Sequence, residues 1–240
     1  MKVRLDRLLV ERGLAESREK AQAMIMAGEV LVNGQKAAKA GQMTAADSAI
    51  EVLARPQFVS RGGIKLAAAL AHFAIDVTGL ICADIGASTG GFTDALLQAG
   101  AARVHAVDVG AGQLAWKLRT DARVVVHESV NAREMEPGLI GEAVDLVTCD
   151  VSFISVTLIL PAAVRLLRPD GRMVILVKPQ FEVGKGKVGR GGIVRDPVLH
   201  RAACERVIGA VRQLGFTTEV IDSPILGAEG NREFLLYARR

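Results

Sequence analysis

The sequence lacks a run of apolar residues long enough to cross a membrane. A membrane-spanning helix needs about 20 consecutive apolar residues, and the apolar stretch over residues 158–164 ends at Arg165. The first seven residues include Lys2, Arg4 and Arg7, where a secretory signal would be apolar. These absences argue against a secreted or membrane-inserted protein, and we expect the chain to be cytoplasmic.

Cysteine and histidine are also scarce. The chain has 3 cysteines and 4 histidines, scattered along its length with no C-x-x-C pair, so neither a disulfide framework nor a zinc site is indicated. We expect reduced, structural cysteines and no metal centre. Lys and Arg exceed Asp and Glu by only 30 to 26, an excess that is compatible with nucleic acid binding but does not identify it.

Half of the 240 residues are hydrophobic, which is enough for one large and one small domain with separate cores. The small domain is expected over residues 1–54. Apolar residues at helical spacing between Leu5 and Val10 predict a first helix, and Ser17 is a suitable N-cap for a second. The run Val30-Leu31-Val32 followed by Asn33-Gly34 predicts a strand and a hairpin turn.

Basic side chains gather on these two helices. Exposed cations near a hairpin favour contacts with RNA phosphates, and the candidates are Arg4, Arg7, Arg18 and Lys20. Acidic residues interrupt the same helices at Glu11, Glu16 and Glu19. A solvated face of mixed charge is therefore the alternative interpretation.

Strand-like apolar runs alternate with helix-like segments from residue 59 to the end of the chain. This alternation predicts an α/β fold with a mostly parallel, doubly wound sheet. Four polar residues close such strands, where the ligands of these sheets bind; they are Asp84, Asp108, Asp150 and Lys178. Residues 55–58, which contain a proline, are expected to form a linker, and residues 59–240 the large domain.

The most informative stretch is the glycine-rich turn within residues 83–93. A strand, a glycine turn and a helix bring backbone N–H groups close to a nucleotide-like ligand, and Asp108 lies where a ribose-binding acid is expected. The turn has the pattern D-x-G-x-x-x-G and lacks the G-x-G-x-x-G of dehydrogenases, which favours S-adenosylmethionine over a dinucleotide. A turn used only for packing is the alternative. The candidate cofactor-binding residues are Asp84, Gly86, Ala87, Ser88, Gly90, Phe92 and Asp108, with Glu128 and Asn131 after the next strand as weaker candidates.

The residues after the fourth strand of the large domain narrow the chemistry of methyl transfer. Amino methylation of adenine usually accompanies an N/D-P-P-Y/F signature, whereas this chain has Asp150-Val151-Ser152-Phe153. Methylation at cytosine carbon five needs a nucleophilic cysteine, typically after a proline, and none of the 3 cysteines follows a proline. A hydroxyl acceptor needs only deprotonation and alignment, which lysine and carboxylate side chains can provide.

Ordered motifs along most of the chain resemble those of known families. The motifs of the large domain are the glycine turn, Val59-Ser60-Arg61-Gly62-Gly63-x-Lys65-Leu66, Asp150-Val151-Ser152-Phe153-Ile154-Ser155, Val177-Lys178-Pro179-Gln180-Phe181-Glu182, Gly191-Gly192-Ile193-Val194-Arg195-Asp196 and Asn231-Arg232-Glu233-Phe234. This domain resembles the FtsJ-like ribose 2′-O-methyltransferases, and residues 1–54 resemble the RNA-binding domain named after ribosomal protein S-four. The whole chain is similar to the TlyA family of ribosomal RNA cytidine 2′-O-methyltransferases, also named haemolysin A.

The resemblance implies a catalytic tetrad of Lys65, Asp150, Lys178 and Glu233. Lys178 would accept the proton of the 2′-hydroxyl with Asp150 positioning it, and Lys65 and Glu233 would hold the ribose. Glu229 is an alternative to Glu233, although the N-x-E-F context favours Glu233. The resemblance also implies a Rossmann-like methyltransferase sheet, S-adenosylmethionine as cofactor, no metal, and ribosomal RNA or a ribosomal subunit as partner.

A basic loop over residues 183–190 contributes Lys185, Lys187 and Arg190, which would either clamp RNA phosphates or be solvated. Three other functional classes compete with the methyltransferase hypothesis. They are a haemolysin-like membrane-active protein, which would need a spanning or strongly amphipathic segment, an NAD-dependent oxidoreductase, and a non-catalytic RNA-binding protein.

Overall fold

The structure, a computed structural model, describes residues 2–53 and 56–240, apart from the side chain of Lys185. The chain divides after Pro56 into two compact units. The domain boundary expected between residues 54 and 55 lies outside the described residues. Phe58, which the sequence placed in a linker, is buried in the larger unit against Gly63, where a Cβ atom would lie 2.2 Å from its side chain.

The small unit consists of two helices and two small antiparallel sheets. Its elements are β1 (Lys2–Arg4), α1 (Leu5–Glu11), α2 (Arg18–Met26), β2 (Val30–Val32), β3 (Gln35–Lys36), β4 (Met43–Ala45) and β5 (Ile50–Val52). Strand β1 pairs with β4, and the second sheet has the order β3-β2-β5. The sequence predicted both helices and the hairpin, but not the pairing of β1 with β4.

Local sequence explains two of these elements. The hydroxyl of Ser17 accepts a hydrogen bond from the backbone N–H of Lys20 at 3.2 Å and so caps α2 as predicted. Asn33 and Gly34 have φ values of 51° and 78°, the left-handed pair that a two-residue hairpin requires. A small core formed by Leu5, Leu9, Ala21, Ile25 and Val30 joins the helices to the second sheet.

The large unit contains a seven-stranded sheet with helices on both faces. Its strands are β6 (Ile81–Ile85), β7 (Arg103–Val107), β8 (Val124–His127), β9 (Val144–Cys149), β10 (Leu167–Val177), β11 (Thr217–Asp222) and β12 (Phe234–Arg239). Its helices are α3 (Gly62–His72), α4 (Gly91–Gln98), α5 (Trp116–Arg119), α6 (Pro137–Ile140), α7 (Leu160–Leu166), α8 (Pro179–Glu182) and α9 (Pro197–Gln213). The predicted α/β class is confirmed, while the short helices α5, α6 and α8 had no strong sequence signal.

The strand order is β11-β12-β10-β9-β6-β7-β8, and the five strands from β10 to β8 are parallel. The order reverses between β6 and β9, because the chain runs outward from β6 through β7 to β8 and then returns to β9. Ligands of open α/β sheets bind outside the carboxyl ends of strands at such a reversal. A ligand site is therefore expected at the loops that follow β6 and β9.

Alternating residues of the central strands pack into two separate cores. In β10, Met173 and Ile175 face one core, which α7 and α9 cover, whereas Val174 and Leu176 face the other, which α3 and α4 cover. A sheet covered on both faces explains why its strands are apolar almost throughout. No helix among the described residues has both the length and the apolar character needed to cross a membrane.

Asp84, next to the last residue of β6, is completely buried. One carboxylate oxygen accepts a hydrogen bond from Thr93 Oγ1 in α4 at 2.7 Å, and the other accepts one from Thr148 Oγ1 in β9 at 3.0 Å. Burial raises the pKa of Asp84 to about 6, although both hydrogen bonds favour the charged form. The carboxylate thus joins β6, β9 and α4 behind the glycine turn.

We predict that Asp84→Asn becomes progressively more stable than the native protein as the pH rises from about 4.5 to about 7.5. The stability linked to a raised carboxyl pKa is present below the ordinary value of about 3.9 and is lost as the pH rises through the folded value of about 6. Since the amide cannot ionise, the advantage of the variant in unfolding free energy should grow by roughly 2 kcal/mol in this range, because the whole shift corresponds to roughly 3 kcal/mol at about 1.4 kcal/mol per pKa unit and about 1 kcal/mol of it is already lost at pH 4.5.

Urea unfolding of both proteins, followed by circular dichroism at the two pH values, measures this advantage. All other ionisable groups are shared, so their contributions cancel in the difference. An advantage that does not change with pH would contradict the prediction.

Candidate active site

The crevice of the large unit forms where the ends of β6 and β9 lie side by side. Gly86 follows β6 with a φ of 83°, a left-handed conformation that glycine adopts without strain. A Cβ atom at this position would lie 2.6 Å from the carbonyl oxygen of Asp150. The N–H of Asp150 donates to the carbonyl of Ile85 at 2.9 Å. Glycine is therefore required for the turn after β6 to approach the loop after β9.

The crevice has two lobes, of about 570 Å³ and about 530 Å³. Residues that line both lobes are Gly86, Ser88, Asp150, Ser152 and Phe153. We call the lobe that also contains Lys65, Lys178 and Glu233 the lysine lobe, and the lobe that also contains Asp108 and Asn131 the Asp108 lobe. Because pockets of about 300–1,000 Å³ hold drug-sized ligands, the two lobes have room for two adjoining molecules.

All four residues of the expected tetrad line the lysine lobe. Lys65 Nζ lies 2.5 Å from Glu233 Oε2, in a pair whose side chains are only 9% and 4% exposed. Lys178 Nζ lies 2.6 Å from Asp150 Oδ1. The fold thus brings together α3, the loop after β9, the end of β10 and the start of β12. Each lysine is neutralised by one carboxylate, as buried charges require.

Lys178 has a second partner that sequence reasoning missed. Its Nζ donates a hydrogen bond to Ser152 Oγ at 2.8 Å. Together with the ion pair to Asp150 Oδ1, this contact gives the amine two close partners from the loop after β9. The sequence signal was the position of Ser152 in the segment after β9, two residues beyond Asp150.

Glu233, and not Glu229, is the partner of Lys65. Glu229 also lines the lysine lobe, but it is exposed at the rim. The turn before β12 packs tightly against Glu233, since a Cβ atom at Gly227 would lie 2.6 Å from Glu233 Oε1. Glu233 is therefore the buried carboxylate that pairs with Lys65, and Glu229 is an exposed carboxylate of the same lobe.

The Asp108 lobe contains several of the expected cofactor-binding residues. The carboxylate of Asp108 accepts hydrogen bonds from the N–H groups of Ser88 and Gly110, both at 2.7 Å. Asn131 lines the same lobe and accepts from the N–H of Arg133 at 3.2 Å. Ala87 and Phe92 instead line the lysine lobe. An acidic side chain that faces a lobe at the end of β7 is suited to bind ribose hydroxyls.

Three expected cofactor-binding residues do not line either lobe, and their contact with the cofactor stays a prediction. Asp84 is buried behind the turn, where both its oxygens are taken by threonines. Gly90 is needed for packing, because a Cβ atom there would lie 2.3 Å from Leu118. Glu128 binds the N–H of Gly112 at 2.8 Å and pairs with a nearby arginine. These residues hold the turn and its neighbouring loop in place.

Phe153 is the most unusual residue of the crevice. It has a φ of 66° and is 93% exposed, although it is a large aromatic residue in a loop. A bulky residue with positive φ is strained, and such strain often marks a functional position. Its ring lies 5.5 Å from that of Phe181. Sequence reasoning did not single out Phe153 as a site residue, because neither exposure nor φ can be inferred from composition.

The four candidate RNA-binding cations of the small unit are paired with acids. Arg7 pairs with Glu11 at 2.8 Å and Lys20 pairs with Glu16 at 2.6 Å, and all four side chains are 44% exposed or more. Surface pairs of this kind contribute about 0–1 kcal/mol and can exchange partners. The mixed-charge alternative therefore describes these two cations in the free chain.

Arg4 and Arg18 differ, because both contact the buried carboxylate of Asp6. Arg4 donates to Asp6 at 3.1 and 2.9 Å, Arg18 at 3.2 Å and Gln22 at 2.9 Å. The hydrogen bond from Arg4, together with those from Gln22 and Arg18, holds the pKa of Asp6 well below its usual range. One buried acid thus orients two half-exposed guanidinium groups, and the cluster keeps a net positive charge.

The basic loop after α8 forms part of the wall of the lysine lobe through Val188 and Gly192. Its cations Lys187 and Arg190 are exposed, and the side chain of Lys185 is outside the described residues. Buried Asn231 holds the loop by accepting from the N–H of Val194 and donating to the carbonyl of Gly192, both at 2.9 Å. In the part of the chain that the structure describes, no group of three or more His, Cys, Asp or Glu residues is arranged to hold a metal ion.

Two family models match the chain. The model described as FtsJ-like methyltransferase matches residues 58–240, and the model described as S4 domain matches residues 3–43. Together they cover most of the larger unit and of the smaller one.

Curated relatives resemble the chain over nearly its full length. The 16S/23S rRNA (cytidine-2′-O)-methyltransferase TlyA of Mycobacterium tuberculosis is 49% identical, over 99% of this chain and 90% of that protein. Hemolysin A of Brachyspira hyodysenteriae is 44% identical, over 98% of this chain and 99% of that protein.

Solved structures give the same relationship at the level of the fold. A structure from Streptococcus thermophilus is 44% identical, with a TM-score of 0.76, and covers 100% of this chain and 88% of that chain. An S-adenosylmethionine-dependent methyltransferase from Mesorhizobium loti is only 16% identical, with a TM-score of 0.52 over 72% of this chain and 96% of that chain. The latter similarity concerns the fold alone.

Proposed function

Since the chain belongs to the FtsJ-like methyltransferases, and within them to the TlyA family, we propose that it methylates a ribose 2′-hydroxyl of ribosomal RNA, at a cytidine, with S-adenosylmethionine as methyl donor. The family favours this activity over the oxidoreductase, membrane-active and non-catalytic alternatives. The observation that carries the proposal is the convergence of Lys65, Asp150, Lys178 and Glu233 in one lobe, next to a second lobe suited to a nucleoside.

The Asp108 lobe is the proposed site of S-adenosylmethionine, which supplies the methyl group as a sulfonium. Asp108 would accept hydrogen bonds from the ribose hydroxyls of the donor. Each of its carboxylate oxygens accepts one backbone hydrogen bond and has a lone pair left for another. Gly86 lines both lobes and would let the donor approach the backbone closely. Asn131 is the remaining candidate for a contact at the adenine end.

The lysine lobe is the proposed site of the acceptor ribose. Lys178 would accept the proton of the 2′-hydroxyl, and Ser152 and Asp150 would hold its amine in position. The buried pair of Lys65 and Glu233 would orient the ribose so that its oxygen is in line with the methyl–sulfur bond. Alignment and one proton transfer are sufficient for this chemistry, so no further cofactor enters the proposal.

The exposed ring of Phe153 lies at the entrance to both lobes and is proposed to stack against a base of the RNA. Aromatic rings at RNA sites stack on bases that leave their helix. The neighbouring ring of Phe181 extends this apolar surface. A ribosomal substrate also implies that the protein acts in the cytoplasm, with ribosomal RNA or a ribosomal subunit as its partner.

The experiment that tests the proposed function measures single-turnover methyl transfer to ribosomal RNA by Lys178 variants. We expect Lys178→Ala to lower the rate by about 10²–10⁴-fold, the usual contribution of a general base. Lys178→Arg should fail similarly, because a guanidinium group does not lose its proton in this pH range. Binding of S-adenosylmethionine, measured by calorimetry, should change little, since the lost interaction belongs to the transition state.

Lys117 offers a matched control, because it forms a lysine–aspartate pair with Asp94 at 2.9 Å and does not line either lobe. Lys117→Ala and Lys117→Arg should transfer methyl groups at the native rate. Near-native transfer by Lys178→Arg would remove Lys178 as the base and reduce its pair with Asp150 to a structural contact.

A second prediction concerns Phe153. Replacing it with alanine removes no buried contact of the fold, because the side chain is 93% exposed. Loss of a base stack worth about 1–3 kcal/mol should lower kcat/KM for RNA by about 5-fold to 150-fold. Phe153→Tyr keeps the ring and should retain native kcat/KM. Equal kcat/KM for Phe153→Ala and the native protein would exclude a stacking role.

A third prediction separates orientation from charge in the amino-terminal unit. Asp6→Asn removes a negative charge, yet we expect it to weaken RNA binding by about 3-fold or more, because Arg4 and Arg18 lose their common anchor. The slope of log affinity against log salt should fall by about 1. Glu11→Gln, which frees Arg7 from a surface pair, should instead leave affinity unchanged or raise it.

Filter binding of ribosomal RNA at several salt concentrations measures both variants, and circular dichroism checks that they are folded. Stronger binding by Asp6→Asn would mean that net charge alone governs the contact.

A further inference from the structure

Glu182, the last residue of α8, is buried and lies four residues after Lys178. Its carboxylate binds the loop after β9, which belongs to a different segment of the chain. Oε2 accepts a hydrogen bond from Ser155 Oγ at 2.6 Å, and Oε1 accepts one from the backbone N–H of Val156 at 2.8 Å. Both carboxylate oxygens therefore hold a loop that is distant in sequence.

The contacts of Glu182 lie at the far end of the loop that carries Asp150, Ser152 and Phe153. Ser155 caps the short 3-10 turn Val156–Leu158 by accepting from the N–H of Thr157 at 3.3 Å. At the near end, the N–H of Asp150 donates to β6 at 2.9 Å. The loop is thus anchored at its two ends, and the strained conformation of Phe153 lies between the two anchors.

The charge of Glu182 is only loosely paired. The guanidinium group of Arg206, in α9, lies 3.9 Å from the carboxylate of Glu182. Nη1 of Arg206 donates a hydrogen bond to the backbone carbonyl of Glu182 at 2.7 Å. The close partners of the carboxylate are the hydroxyl and the N–H of the loop. The length and direction of this side chain, more than its charge, therefore determine where the loop lies.

We propose that Glu182 is a positioning residue for methyl transfer, which joins the end of β10 to the loop after β9 and so sets the place of Asp150 and Ser152 relative to Lys178. This inference rests on the proposed function, because it concerns the same site. Lys178 and Glu182 belong to one short segment. Asp150, Ser152, Ser155 and Val156 belong to another, and the carboxylate contacts couple the two segments beside the reacting atoms.

The test uses the full-length protein, ribosomal RNA and S-adenosylmethionine, with three variants of Glu182. Glu182→Gln keeps the length of the side chain, and its amide can accept from Val156 and donate to Ser155, whose hydroxyl has Thr157 as an alternative acceptor. Glu182→Asp keeps the charge but is one methylene too short. Glu182→Ala loses both contacts.

We expect kcat to fall by about 10-fold to 100-fold in the Ala and Asp variants, because misplacement of a catalytic group by about 1 Å has effects of this size. Glu182→Gln should stay within about 3-fold of the native kcat. The Kd for S-adenosylmethionine should change less than 3-fold in all three, since Glu182 does not line either lobe.

Asp145 provides the matched control at the opposite end of β9. Its carboxylate also accepts from a backbone N–H, that of Ile81 at 2.8 Å, and pairs with Arg168 at 2.5 Å. Asp145→Ala should lower the melting temperature and leave kcat unchanged. Glu182→Ala is expected to lower both.

Several outcomes would overturn the positioning role. They are a native kcat in Glu182→Ala, an equal loss of kcat in Asp145→Ala, and a better kcat in Glu182→Asp than in Glu182→Gln. If instead the native protein transfers no methyl group to ribosomal RNA, the proposed function fails first and the positioning role fails with it. The activity of the native protein therefore distinguishes the two failures.

Discussion

The approach of Gly86 to the backbone of Asp150 is the contact on which the candidate site depends. A side chain at residue 86 would lie 2.6 Å from the carbonyl oxygen of Asp150, so a larger residue would force the ends of β6 and β9 apart. These strands are neighbours because the sheet order reverses between them. Gly86 and Asp150 both line the two lobes of the crevice. Their contact therefore places an acid that follows β9 beside the glycine turn.

The lysine lobe concentrates charge without leaving it unpaired. Two lysines and two carboxylates form two close pairs, which offset the cost of removing four charges from water. The pairs differ in their surroundings, since Lys65 and Glu233 are almost completely buried whereas Asp150 is 22% exposed and Lys178 also binds Ser152. A buried, mutually fixed pair suits the orientation of a substrate, and a more open pair with a hydroxyl neighbour suits the movement of a proton.

Periodicity and spacing predicted the sheet and the glycine turn, because both depend on local pattern, whereas the tetrad was implied by the resemblance to a family. Contacts between residues that are distant in sequence were harder to predict. Asp84 and Gly90 belong to the predicted turn. Asp84 accepts hydrogen bonds from two threonines, and Gly90 packs against Leu118. The spacing of residues in the sequence indicates neither contact. The exposure and positive φ of Phe153 likewise depend on how the loop after β9 is anchored.

The protein donors around the carboxylates separate Asp84 and Glu182, which hold the fold, from Asp150, which lines the crevice. Both carboxylate oxygens of Asp84 and of Glu182 accept hydrogen bonds from protein donors, and these donors come from segments distant in sequence. Asp150 Oδ1, by contrast, has a lysine at 2.6 Å but no aligned hydrogen bond among the described residues. Position at a strand end, which made Asp84 and Asp150 look equivalent in the sequence, does not separate their roles, whereas the two threonine donors of Asp84 and the lysine partner of Asp150 do.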